Sequence, residues 1–145
     1  SITIDPTGAP KLDLAANETE LVVAQALDVP LVYAKKYAPQ VESPAIARVI
    51  PSPTKGGETK LVLSQRYIVP TDRVVIVDDF LSNGRTAVAL IEMAREAGAE
   101  VLCASFIVEK RFKHGHATIE ALGVPVCTLA QVEALENGLV RLTQP

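Results

Sequence analysis

One stretch restricts the fold more than any other: residues 73–99, RVVIVDDFLSNGRTAVALIEMAREAGA. Val74 to Val77 form an unbroken β-branched run, the habit of a parallel strand covered on both faces. Two acids follow, Asp78 and Asp79, then a short Asn-Gly loop. Ala87, Leu90, Ile91, Ala94 and Ala97 recur at helical spacing, with Glu92, Arg95 and Glu96 opposite them. Gly98 suits the position just past the helix end. A second apolar run, Val101 to Val108, completes a βαβ unit, expected to be right-handed. The fold class implied is α/β, a mainly parallel twisted sheet flanked by helices, in a single domain over residues 1–145.

The rest of the chain is read against that unit. Ile2 to Asp5 reads as a strand, and residues 5–10 form a turn-rich loop in which Gly8 permits close backbone approach. Asn17 and Glu20 have capping-box spacing, so a helix is expected over residues 18–27 with Leu21, Val23, Ala24 and Leu27 inward. Leu31 to Ala34 reads as a second strand. Residues 45–50 and 60–64 read as arms of a hairpin, with a Pro/Gly-rich tip between them. Further on come a short helix near residues 117–122, a core strand at 125–129, and an Asn137-Gly138 turn into a terminal strand.

Composition narrows the function classes. Hydrophobic content of 48% argues for a packed core, and a net charge of −3 gives no general footprint for nucleic acid. No apolar run approaches the roughly 20 residues that cross a bilayer. No signal peptide is visible, so a cytosolic protein is expected. Cys103 and Cys127 lie in apolar runs and read as two buried, reduced thiols.

Ligands of open α/β sheets bind beyond the carboxyl ends of the strands. Three loops leave such ends here: residues 5–10, 78–86 and 109–113. The second carries the most chemistry. Adjacent carboxylates stay ionised only with compensation by a cation, hydroxyl donors or water. The free N–H groups of a helix start, with the Ser82 and Thr86 hydroxyls, favour a phosphate. A sugar phosphate satisfies both, although an Asp-rich capping turn has the same residues. GxxxxGK[ST] and GxGxxG are both absent. His114 and His116 could suggest a metal, but two nearby histidines without a Cys partner are a weak motif.

The run VVIVDDFLSNGRT resembles the PRPP-binding signature of the type I phosphoribosyltransferases. Phe80-Leu81-Ser82-Asn83-Gly84, Val108-Glu109-Lys110-x-Phe112, Ala34-Lys35-Lys36, Leu129-Ala130 and Glu136-Asn137-Gly138 are similar to one branch, the bacterial xanthine phosphoribosyltransferases. The resemblance runs over residues 21–142, and more loosely over the first ten. It implies transfer of the phosphoribosyl group of PRPP to a 6-oxopurine, xanthine giving XMP, with release of pyrophosphate, in purine salvage. By the same resemblance Asp78 and Asp79 hold the ribose, directly or through Mg²⁺ carried by PRPP. Ser82, Asn83, Gly84, Arg85 and Thr86 cradle the 5′-phosphate, and Asp5, Thr7, Gly8 and Lys36 meet the pyrophosphate. Lys55, Gly56, Gly57 and Lys60 belong to a mobile hairpin lid. Lys110 and Phe112 serve the base, and a Lys donor suits a 6-oxo group and not adenine.

Two departures from that family stand out. Its members carry an N-terminal segment before the ITID-like strand that forms part of a hood over the base, and this sequence begins at the strand. Residues 11–20 also lengthen a connection that the family keeps compact. The resemblance further implies a homodimer without nucleic-acid or membrane partners. The alternative function is a PRPP-binding purine regulator without catalytic activity; those carry a winged-helix domain, which this acidic sequence lacks.

Overall fold

In the computed structural model, residues 18–36, 44–52 and 56–143 are described. The strand expected at residues 2–5, the loop at 5–10, Asn17 and Lys55 lie outside them. The elements are α1 (Glu18–Leu27), β1 (Lys35–Lys36), β2 (Ala45–Pro51), β3 (Glu58–Ser64), β4 (Arg73–Leu81), α2 (Arg85–Glu96), β5 (Glu100–Lys110), α3 (Gly115–Ala121), β6 (Val126–Glu136) and β7 (Leu139–Thr143), with a 3₁₀ turn at Gln65–Tyr67. They make two sheets. One has the order β1-β3-β2 and is antiparallel. The other has the order β4-β5-β6-β7, parallel across β4-β5-β6 and antiparallel at β7.

Helix α2 organises the packing because it serves both sheets. One side meets Ile46, Ile50, Leu61, Leu63 and Ile68 through Ala89 and Met93. The other meets Leu81, Ala104, Phe106, Ile119 and Val124 through Ala87 and Ile91. The buried residues of α2 are therefore Ala87, Ala89, Ile91, Met93 and Ala94, while Leu90 and Ala97 are half-buried. The expected single stripe is corrected to a wider one, since a helix wedged between two layers buries more of its circumference. Each large side chain removed from water there contributes about 1.5–3 kcal/mol.

The helix ends as its sequence dictates. Gly98 has φ +88°, its N–H donates to Arg95 O at 2.9 Å, and Ala99 N–H donates to Ala94 O at 3.0 Å. That pair of bonds is the Schellman motif, in which a left-handed residue satisfies the last carbonyls. The β6–β7 turn is equally local: Asn137 (φ 51°) and Gly138 (φ 74°) both take the positive φ of a two-residue hairpin turn, pairing Glu136 with Leu139.

Several boundaries differ from the sequence expectations. Residues 31–34 form no strand; the ladder to β3 is made by Lys35 and Lys36, while Val32 and Ala34 face inward without pairing. Helix α1 leaves Leu27 exposed, with Ala24 buried and Leu21 and Val23 half-buried. Strand β4 is only half-buried at Val74 to Val77. Strands β4, β5 and β6 all run further than expected, because hydrogen-bonded pairing continues past the apolar residues that mark them in sequence. Thus Asp78, Asp79, Glu109 and Lys110 belong to strands and not to loops. The expected pair of buried thiols is also corrected: Cys103 is half-buried and Cys127 is exposed, both free. Among the described residues no helix is long and apolar enough to cross a membrane.

Candidate functional site

Parallel pairing aligns the carboxyl ends of β4 and β5. Phe80 lies opposite Val108 and Leu81 opposite Glu109, so the acids of β4 and the Glu109-Lys110 pair of β5 reach the same sheet edge. This is where an α/β sheet takes ligands.

Asp78 is half-buried and Asp79 exposed. Asp79 N–H donates to Asp78 Oδ1 at 2.9 Å, and Phe80 N–H donates to Asp79 Oδ1 at 2.8 Å. Each carboxylate is thereby oriented by the next residue's backbone. Burial, reinforced by the side chain and charge of Asp79, pushes the Asp78 carboxyl up to about 6. The strand end therefore favours a partner that offers protons or positive charge.

The turn after β4 leads into α2 through Gly84, at φ +77°. Gly84 O accepts the first helical bond, from Val88 N–H at 2.8 Å. Among the described residues no side chain caps this end. The N–H groups of Arg85, Thr86 and Ala87 thus have no acceptor within the helix, the usual state of a first turn. Ser82 and Thr86 are half-buried, and Asn83 and Arg85 are exposed. The structure brings all five expected phosphate residues onto one turn, three residues beyond the acids.

Lys110 is half-buried at the end of β5, opposite Val132, and Phe112 is exposed in the turn that follows. Lys113 lies over the Phe112 ring, 5.8 Å from its centroid. Lys36 is exposed in β1 and Lys60 exposed in β3, so Lys60 stands in the hairpin arm and not in its tip. Gly56 and Gly57 have φ of +67° and +75°, and Ser52 N–H donates to Gly57 O at 2.8 Å, closing the base of the tip. Arg48 of β2 pairs with Glu92 and Glu96 and ties the hairpin to α2. Between them lies a cleft of about 270 Å³ lined by Arg48, Ile50, Pro51, Asn83, Arg85 and Thr118. It is smaller than the roughly 300–1,000 Å³ of ordinary ligand pockets and does not by itself house a nucleotide. Asp5, Thr7 and Gly8 lie outside the described residues.

Sequence reasoning missed one part of this edge. Glu109 is 1% exposed, yet its carboxyl group is well partnered. Its Oε1 faces His116 Nδ1 at 2.7 Å and Arg111 Nη1 at 3.4 Å; its Oε2 accepts from Thr128 Oγ1 at 3.3 Å and Gln131 Nε2 at 3.4 Å. His116 Nε2 faces Glu120 Oε1 at 3.1 Å. The ring nitrogens of His116 thus face carboxyl oxygens, while His114 stands at the N-cap position of α3 without a side-chain capping hydrogen bond. The i,i+4 spacing of His116 and Glu120 was a signal, but nothing in the sequence near Glu109 marks it as buried.

The chain matches the phosphoribosyl transferase domain over residues 20–128. It belongs to the phosphoribosyltransferase family. Among its relatives, the xanthine phosphoribosyltransferase of Chloroflexus aurantiacus is 51% identical over 118 residues, covering 81% of this chain and 56% of that protein. The xanthine phosphoribosyltransferase of Deinococcus deserti is 39% identical over 136 residues, covering 93% of this chain and 70% of that one. The chain thus spans little more than half the length of the first of these family members. Among solved structures, the adenine phosphoribosyltransferase of Rhodothermus marinus superposes with a TM-score of 0.69 at 28% identity, over 80% of this chain and 64% of that chain. The Giardia lamblia enzyme complexed with 9-deazaadenine gives the same TM-score, 0.69, at 20% identity, over 78% and 62%. These likenesses establish the type I phosphoribosyltransferase fold.

Proposed function

We propose that this chain carries out phosphoribosyl transfer from PRPP to a 6-oxopurine, with xanthine the favoured base, giving XMP and pyrophosphate in purine salvage. The observation that carries the reading is the strand end of β4: two backbone-oriented carboxylates, then a glycine-led helix start that no side chain caps among the described residues. The displacement at the anomeric carbon develops positive charge on the ribose. Asp78 and Asp79 hold the ribose hydroxyls and stabilise that charge, an electrostatic role suited to oriented carboxylates. Ser82, Asn83, Gly84, Arg85 and Thr86 bind the 5′-phosphate through backbone N–H groups and hydroxyls. This fixes the ribose for attack, so that orientation lowers the barrier.

Asp5, Thr7, Gly8 and Lys36 meet the departing pyrophosphate. Lys55, on the hairpin tip hinged by Gly56 and Gly57, closes over it and excludes water, and Lys60 of the β3 arm reaches its oxygens. Lys110 donates to the 6-oxo group of the base, and Phe112 packs beside it. That donor and the named relatives support a 6-oxopurine, even though the structural neighbours are adenine enzymes. The carboxylate oxygens of Asp78 and Asp79 fit a hard cation, and Mg²⁺ arriving with PRPP would supply charge neutralisation there. The protein works as a cytoplasmic homodimer in this reading.

The test is incubation of the chain with PRPP, Mg²⁺ and each of xanthine, guanine, hypoxanthine and adenine, following nucleotide and pyrophosphate. Turnover with xanthine is expected. PRPP binding with no turnover on any base would overturn the catalytic reading and leave a regulator.

A further inference from the structure

The turn that would hold phosphate is not self-supporting. Gly115, the first residue of α3, is buried and donates its N–H to Ser82 O at 2.9 Å. A Cβ on Gly115 would stand 2.4 Å from that oxygen, 2.7 Å from Leu81 Cδ1 and 2.9 Å from Gly84 N. A Cβ on Gly84 would stand 3.0 Å from Gly115 Cα. Two backbones therefore touch with no side chain between them. The neighbouring residue, His116, is held by the buried Glu109 at 2.7 Å and by Glu120 at 3.1 Å. Glu109 in turn directly precedes Lys110 in β5.

We propose that Gly115 and His116 are positioning residues that set the Ser82–Gly84 turn for the 5′-phosphate, with Glu109 as their anchor. The inference rests on the phosphoribosyl-transfer reading of that turn. Its physical basis is a continuous run: Lys110 is bonded to Glu109, Glu109 grips His116, and Gly115 hydrogen-bonds and abuts the phosphate turn. A buried carboxylate that loses its principal donor is left undersatisfied, and the start of α3 shifts to recover one. A shift there is transmitted to Ser82 and Gly84 because no soft side chain intervenes, and misplacement of the order of 1 Å is costly at a binding site. The arrangement also joins the base side of the site to the phosphate side, since residues 110–116 are pinned at both ends.

The experiment measures binding of ribose 5-phosphate, a probe that carries the phosphate and no base, by calorimetry at 25 °C. The proteins are wild type, His116→Ala, His116→Asn, Glu109→Gln and Gly115→Ala, each checked for folding by circular dichroism. Gly98→Ala serves as a destabilised control, because Gly98 packs on Pro70 away from the turn. His116→Ala is expected to weaken binding about tenfold, the scale of one lost charge-assisted hydrogen bond. His116→Asn, which keeps a donor near Glu109, should recover most of that loss. Glu109→Gln and Gly115→Ala should weaken binding in the same direction, so a His116→Ala protein that fails to fold does not remove the test. Gly98→Ala should bind as wild type does. Binding by folded His116→Ala, Glu109→Gln and Gly115→Ala within twofold of wild type would overturn the proposal while leaving the phosphoribosyl-transfer reading standing. Wild-type protein that does not bind ribose 5-phosphate would overturn that reading, and the proposal with it.

Discussion

Asp79 donates its backbone N–H to Oδ1 of Asp78 at 2.9 Å, so the first carboxylate of the pair is oriented by the backbone of the second. The contact does not relieve Asp78 of its burial, and its carboxyl is pushed up to about 6. In the proposed mechanism Asp78 acts as an anion, so kcat/KM for PRPP should fall as pH drops below about 6, and Asp78→Asn should abolish that limb along with most activity. Stability moves the other way. A carboxyl raised in the folded state favours folding at low pH, and that advantage is lost as pH rises from about 4 to about 6. Asp78→Asn, which keeps the acceptor for Asp79 N–H, should therefore stabilise the free protein at pH 8 by up to about 3 kcal/mol and have no effect near pH 3. Thermal melts across that range check it.

Lys110 offers a cationic donor at the end of β5, on the same edge as the acids. Lys110→Gln should raise KM for xanthine and lower kcat/KM about 10- to 100-fold, the scale of a lost hydrogen bond from a charged group. KM for PRPP should change little. Steady-state kinetics with each substrate varied in turn separate the two.

The cysteines should differ in reactivity. Burial, followed by the neighbouring Cys127, raises the Cys103 thiol above its ordinary value, and Cys103 is also the less accessible. The raised thiol of Cys103 and the greater exposure of Cys127 both direct reaction to Cys127. Iodoacetamide at pH 8 should alkylate Cys127 first, as read by peptide mass spectrometry.

Gly98 closes α2 at φ +88°, and an added Cβ would meet Pro70 at 3.0–3.3 Å. Gly98→Ala incurs the left-handed cost of about 1–2 kcal/mol and crowds the proline as well. The melting temperature should fall by several degrees.

The strand, turn and helix of residues 73–99 were legible because each local signal agreed: a β-branched run, two acids, a glycine at the helix start and a glycine at its end. The β2–β3 hairpin and the Asn137-Gly138 turn were legible for the same reason. Strand lengths were not, since ladder bonds carry β5 through Glu109 and Lys110 and β6 as far as Glu136, beyond the apolar residues that announce them. The second buried side of α2 was hidden because Met93 and Ala89 face the hairpin, a contact set by tertiary packing. Glu109 was hidden more deeply. A glutamate beside a lysine at a strand end reads as exposed, and only the approach of His116, Thr128 and Gln131 from other elements makes its burial tolerable.

The contact between Gly84 and Gly115 has a consequence for anyone altering this protein. Residues 111–114 lie beside the proposed base position and are exposed, so they are the natural place to vary base preference by mutagenesis. Position 115 does not share that freedom. A library that randomises the whole segment would lose most members to collisions with a turn far away in sequence, and the survivors would be enriched for glycine there whatever base was selected.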